Sequence, residues 1–148
     1  MIDEKLNESQ MPTTFVPLSA TIAASDRRVV TSPGFPKVLG PYSHAVVAGG
    51  FVFVAGQAPI NPSTQEFELG DIESETRLEL TNLAGILEAA GSNLASVVKV
   101  SIHLFYLDDF DGMNRVYLEF FSSDFPSRIT TQAVLRSRRK MRLTASPG

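Results

Sequence analysis

Two periodicities divide the chain. In Ser43 to Pro59, two β-rich runs flank Gly49-Gly50, and a glycine pair supplies the positive φ angles that a two-residue hairpin turn requires. From Gly70 to Gly91 the period changes: Ile72, Thr76, Leu80, Leu83, Leu87 and Ala90 recur every three or four residues and mark one face of a helix. Asp71 suits its N-cap, Glu73 and Glu75 suit the positive end of its dipole, and Gly91 sits where a terminating glycine belongs. Val97 to Leu107 then reads as a strand, with Val98, Val100, Ile102, Leu104 and Tyr106 on one face. A second helix from Asp109 to about Ser122 would bury Phe110, Met113, Tyr117 and Phe120, and Ile129 to Leu135 is a strand by its β-branched content.

The remaining stretches join these elements. Arg27 to Thr31 reads as a short strand closed by Ser32-Pro33-Gly34. Phe35 to Tyr42 is an irregular loop, because Pro36 and Pro41 donate no backbone hydrogen bond. Residues 1–26 show neither period and are expected to form a flexible N-terminal extension. The order β, ββ, α, β, α, β predicts an α+β domain with both helices packed on one face of a sheet.

Composition narrows the chemistry. With 148 residues, 43% of them hydrophobic, there is room for one domain with a real core. The absence of cysteine excludes disulfides, thiolate metal sites and cysteine nucleophiles. With only two histidines, metal chemistry is a poor prospect. No apolar run approaches the roughly 20 residues of a membrane span, and no signal peptide is recognisable, so a cytoplasmic location is expected. Charge is unevenly spread. Residues 1–124 carry 7 basic and 16 acidic side chains, whereas residues 125–148 carry 6 basic and none acidic. The body should therefore repel nucleic acid, leaving only the tail to attract it, and the tail lacks the interleaved aromatics of a base-stacking surface.

Arg128 is the foremost candidate for function. It follows Phe125-Pro126-Ser127 and opens a β-branched run, and its planar guanidinium is suited to bidentate capture of a carboxylate. From composition alone, a surface arginine at a strand start is the commoner case. Asn114, of low propensity inside a helix, either seeks partners or faces solvent. Gly40-Pro41-Tyr42-Ser43 and Ala55-Gly56-Gln57-Ala58-Pro59 are explicable as turns. His44 and His103 lack a sequence-adjacent carboxylate or serine and read as structural.

In combination, RRVVTSPGFPKVLGPYSHAVVAGGFVFVAGQAPINP, LTNLAGILEAAG, VVKVSIHLFYLDDFDGMNRVY and FPSR resemble the RidA (YjgF-type) family of enamine/imine deaminases, from about Arg27 to Leu135. The resemblance implies a chorismate-mutase-like single domain, assembled as a homotrimer with a ligand cleft at each subunit interface. It implies hydrolysis of 2-aminoacrylate, 2-iminobutanoate and 2-iminopropanoate to 2-keto acids and ammonia without metal or cofactor. Carried onto this chain, it makes Arg128 the catalytic carboxylate clamp, with Tyr42, Asn114, Thr130, Gly56 and Gln57 as substrate-binding residues. The ligand would be a small 2-imino or 2-keto acid.

Four positions depart from that pattern. Thr130 replaces the usual cysteine, Ala55 a common serine, His44 a glutamine, and Leu143 falls near a glutamate credited with positioning water. Because composition shifts abruptly after Leu135, residues 137–148 are read as an atypical basic tail of the kind a reading-frame change produces. The domain is accordingly set at 27–136, and the final strand is expected to be weakened or absent. Two other readings stand beside deamination: a trimeric small-carboxylate-binding or chaperone-like protein without turnover, and an RNA-binding or endoribonuclease-like protein.

Overall fold

Six strands and two helices follow one another along the computed structural model, which describes residues 26–135 and 141–147. Most of the expected N-terminal extension lies outside the described residues. The strands are β1 (Arg28–Val30), β2 (Ala45–Ala48), β3 (Phe51–Val54), β4 (Val97–Leu104), β5 (Ser127–Gln132) and β6 (Met141–Pro147); the helices are α1 (Ile72–Ala90) and α2 (Phe110–Phe120). The hairpin forms as its glycines require: Gly49 and Gly50 have φ of 57° and 79°, and Ala48 pairs with Phe51. β1 adds antiparallel to β2, giving the order β1-β2-β3.

The second sheet has the order β5-β4-β6, with β5 parallel and β6 antiparallel to β4. A bridge from Gln57 to Leu143, in which the Gln57 amide donates to the Leu143 carbonyl at 2.7 Å, joins the two sheets edge to edge. β6 overturns the expectation of a weakened or absent last strand. Leu143 lies opposite Ile102 and Ala145 opposite Val100, and all four are buried. The physical reason is that two apolar side chains two residues apart, Leu143 and Ala145, suffice to cover the flank of β4, whatever the charge of the residues before them.

α1 matches its pattern. Asp71 accepts from the Ser74 amide at 2.7 Å, and the chain leaves the helix through Gly91 at φ 85°, where Ser92 donates to the Leu87 carbonyl at 2.8 Å. All six residues expected on its inner face are buried, together with Ile86 and the polar Glu75, Glu79 and Asn82. The Glu75 carboxylate accepts from the Gly70 amide at 3.1 Å, just ahead of the helix.

β4 and α2 differ from expectation in detail. β4 stops at Leu104, and a single-turn helix at Leu107–Asp109 leads into α2, leaving Tyr106 exposed. At its other end the register shifts between Val97 and Lys99, so Val97 is buried and Val98 is turned out, 51% exposed. One extra residue in a bulge changes the face that alternation assigns. α2 buries Met113 and Tyr117 as expected, but its innermost face turns toward Gly112 and Val116, leaving Phe120 only partly buried against the core and Phe110 37% exposed. Gly112 decides this rotation: a Cβ there would overlap Cγ2 of Ile72 in α1, so the bare backbone is what allows the helices to approach. Both helices and the inner residues of every strand except β5 share one core, and the opposite sheet face, with Val29, Phe51, Phe53 and Ile129 exposed, carries neither α1 nor α2.

Candidate functional site

β5 begins where Phe125-Pro126 ends, and its alternation sends Arg128, opposite Val100, and Thr130, opposite Ile102, to the face that carries the helices. α2 lies above, and its residues 114, 117 and 118 share one side at helical spacing. The Arg128 guanidinium rises between them. Its Nη1 donates to Asn114 Oδ1 at 2.8 Å, and its carbon lies 4.8 Å from the ring centroid of Tyr117 and 5.5 Å from that of Phe110. Such contacts hold a cation by roughly 0.5–2 kcal/mol each, depending on desolvation. They leave its charge uncancelled.

A cleft of about 400 Å³ opens here, lined by Asn114, Tyr117, Leu118, Phe125, Pro126 and Arg128. None of the six is acidic, and no described carboxylate is paired with Arg128. A half-buried guanidinium surrounded by neutral groups is a site for an anion, and its fork favours a planar one. Asn114 spends its carbonyl oxygen on Arg128, so its amide N–H groups remain as donors. Burial pushes the Tyr117 phenol above its ordinary pKa, with the Arg128 charge opposing, so the hydroxyl stays protonated at neutral pH. The Thr130 hydroxyl, two residues along β5 from Arg128, is buried without a hydrogen-bond partner.

Within one chain, Arg128 and Asn114 come together and Thr130 shares their layer. Tyr42, Gly56 and Gln57 do not line this cleft. Tyr42 is 47% exposed, and its hydroxyl accepts from the Leu39 amide at 3.0 Å. Gln57 is buried at the junction of the two sheets, its side chain donating to the Ala55 carbonyl at 2.9 Å. Leu143 is buried in the core and does not line the cleft within one chain. His44 contacts the Pro36 carbonyl at 2.6 Å and Phe35 edge-on, while His103 contacts Thr131 Oγ1 at 2.8 Å on the helix-free sheet face. Neither stands beside Arg128. No cluster of three potential metal ligands occurs among the described residues, and no described helix is long and apolar enough to cross a membrane.

The sequence reading missed Tyr117, Leu118, Phe125 and Pro126 as cleft residues. Tyr117 and Leu118 follow Asn114 by three and four positions, which is the spacing that would have grouped them.

Known proteins resemble the chain in sequence and in fold. Residues 34–142 match the family model described as endoribonuclease L-PSP. A RutC family protein of Pyrococcus horikoshii is 45% identical over 106 residues, 72% of this chain and 84% of the relative. A 2-iminobutanoate/2-iminopropanoate deaminase of Dermatophagoides farinae is 40% identical over 106 residues, covering 72% and 83%. Among solved structures, Escherichia coli TdcF with bound serine superposes with a TM-score of 0.76 at 31% identity, over 81% of this chain and 97% of that one. RidA from an Antarctic Psychrobacter gives 0.77 at 29% identity, over 81% and 98%. The α+β architecture is the one these proteins share.

Proposed function

The chain belongs to the RidA/YjgF-type family that the endoribonuclease L-PSP model describes, and on that premise we propose that it hydrolyses small 2-imino acids and their enamine tautomers. 2-Aminoacrylate, 2-iminobutanoate and 2-iminopropanoate are the substrates, and 2-keto acids and ammonia the products. The observation that carries this reading is Arg128: a cation oriented by Asn114 and two rings, at the floor of an apolar-walled cleft, with no carboxylate of its own.

In this mechanism the fork of Arg128 binds the substrate carboxylate and fixes the imine carbon against the cleft wall. Water adds to that carbon and passes a proton to the imine nitrogen, giving a carbinolamine. The C–N bond then breaks, ammonia leaves with a further proton, and the hydroxyl oxygen becomes the keto oxygen. Arg128 contributes orientation, together with stabilisation of the anion beside the reacting carbon. Tyr42 and the Gly56-Gln57 backbone, which do not line the cleft within one chain, border it from a neighbouring subunit of a homotrimer in this reading. The exposed row of Val29, Phe51 and Phe53 supports such an assembly, since a contiguous apolar patch calls for cover.

The test is 2-keto acid formation from 2-aminoacrylate or 2-iminobutanoate generated by a dehydratase, with wild type and Arg128→Ala compared. Wild-type acceleration that Arg128→Ala loses supports deamination; a wild-type rate at the spontaneous background rejects it. One observation favours a second reading, a carboxylate-binding protein without turnover: Leu143 fills the core at the place of the expected acid. Carboxylate binding that depends on Arg128, with no hydrolysis, would select it. RNA cleavage ranks last, because the cleft offers a single cation and no acid-base pair for that chemistry.

A further inference from the structure

Tyr117 holds an unsatisfied polar group in the wall of the cleft. The residue is only 4% exposed, and its hydroxyl is buried with no hydrogen-bond partner among the described residues. Buried hydroxyls are nearly always paired, and one without a partner points to an acceptor that arrives from outside the chain. The ring cannot easily turn to find one. One face stacks on Phe121, with centroids 4.5 Å apart, and the Arg128 guanidinium carbon lies 4.8 Å from its centroid. α2 places it one turn beyond Asn114, in the wall of the same cleft.

The three polar residues of that wall have one chemical property in common. Arg128 has only donors, Asn114 has already used its oxygen, and a protonated phenol lacking an acceptor is a donor. A carboxylate is an acceptor with about four lone-pair sites, of which a bidentate guanidinium uses two. We propose that Tyr117 is a further substrate-contacting residue, its hydroxyl donating to the carboxylate that Arg128 binds. The ligand is then gripped by donors from two elements, β5 and α2, and its plane is fixed as well as its charge. This inference rests on the reading of the cleft as a 2-imino-acid site and adds a specificity element to it: the carboxylate is read by two residues, so ligands with a neutral amide in its place are rejected more strongly than one arginine would achieve.

The experiment measures 2-oxobutanoate binding by calorimetry in wild type, Tyr117→Phe and Arg128→Ala. Phenylalanine keeps the ring, its stacking and its contact with the cation, and removes the unpaired hydroxyl alone. Affinity in Tyr117→Phe is expected to fall about tenfold, the worth of one hydrogen bond to a charged group, with no loss of thermal stability. Unchanged affinity in Tyr117→Phe while Arg128→Ala loses binding would overturn the Tyr117 proposal and leave the cleft assignment intact. Undiminished binding in Arg128→Ala would overturn both. A measurement on wild type removes any dependence on variant folding. The chain has three tyrosines, so carbon-13 labelling at Cζ gives three resolvable NMR signals. The one missing in Tyr117→Phe should shift when 2-oxobutanoate is added; a static signal at saturation would count against the contact.

Discussion

β5 and β6 flank the same strand, β4, and use its two edges differently. β5 runs parallel to β4, has no buried residue, and carries Arg128, which lines the cleft. β6 runs antiparallel, and its inner side chains Leu143 and Ala145 are 0% and 3% exposed. One edge borders an open cleft; the other has been sealed into the core. The sequence difference behind this is small. β5 places an arginine and a threonine on its inner face where β6 places a leucine and an alanine. The inner face of a strand beside a helix pair thus becomes either a site or a core according to two residues.

The harshest way to break this contrast is to give β6 the polarity of β5. Leu143→Glu puts a carboxylate at a fully buried position opposite Ile102, and should cost about 4 kcal/mol or more. With total stabilities of roughly 5–15 kcal/mol, that loss should appear as a large fall in the urea midpoint, followed by circular dichroism. From the family pattern alone, the same substitution would restore a catalytic acid. The fold predicts loss of structure instead, and an active, stable variant would contradict the placement of β6.

On the other edge, Arg128→Ala should weaken 2-keto acid binding about 100-fold, equivalent to about 2.7 kcal/mol, while the urea midpoint moves little. A matching loss of stability would mean that Arg128 is structural. Gly112→Ala sharpens the contrast by acting through α2. Its methyl would meet Ile72, and overpacking of this kind costs about 1–3 kcal/mol, more than alanine gains over glycine in a helix. Because α2 carries Asn114 and Tyr117, ligand affinity should fall along with the melting temperature.

The smallest effect lies far from either edge. Hydrogen bonds from Ser74 hold the Asp71 carboxyl below its ordinary range, and the hydrogen bond from Arg77 does the same for Glu119. A folded-state pKa below the unfolded one stabilises above the unfolded value, near 4, and that contribution disappears as pH falls through the folded value. Asp71→Asn should therefore flatten the acid limb of the stability curve below about pH 4. An unchanged limb in urea titrations would remove the cap from that account.

What was legible in the sequence follows from how local each signal is. The hairpin at Gly49-Gly50 and the α1 boundaries at Asp71 and Gly91 are written in residues that touch one another, and the structure has them where they were expected. The outward turn of Val98 was not legible, because a bulge is set by the pairing of Val97 and Lys99 with Pro147 and Ser146. The rotation of α2 was hidden for a similar reason: it answers to Ile72 across the helix interface. β6 was misjudged because its basic composition drew attention from Leu143 and Ala145. At the site, Arg128 stood out by its residue chemistry and Asn114 through the family resemblance, yet their hydrogen bond depends on β5 lying under α2, and Tyr117 was assigned to the core without its hydroxyl being considered.

The bridge between Gln57 and Leu143 has a consequence in time. During synthesis the hairpin can form as soon as its own residues emerge, but the seam that joins it to the second sheet waits for residue 143. Until then β4 presents an unpaired edge and uncovered Val100 and Ile102, a surface that invites pairing with other chains. Closure of so distant a contact is entropically slow, so the interval before β6 docks is when the nascent chain is most exposed to aggregation.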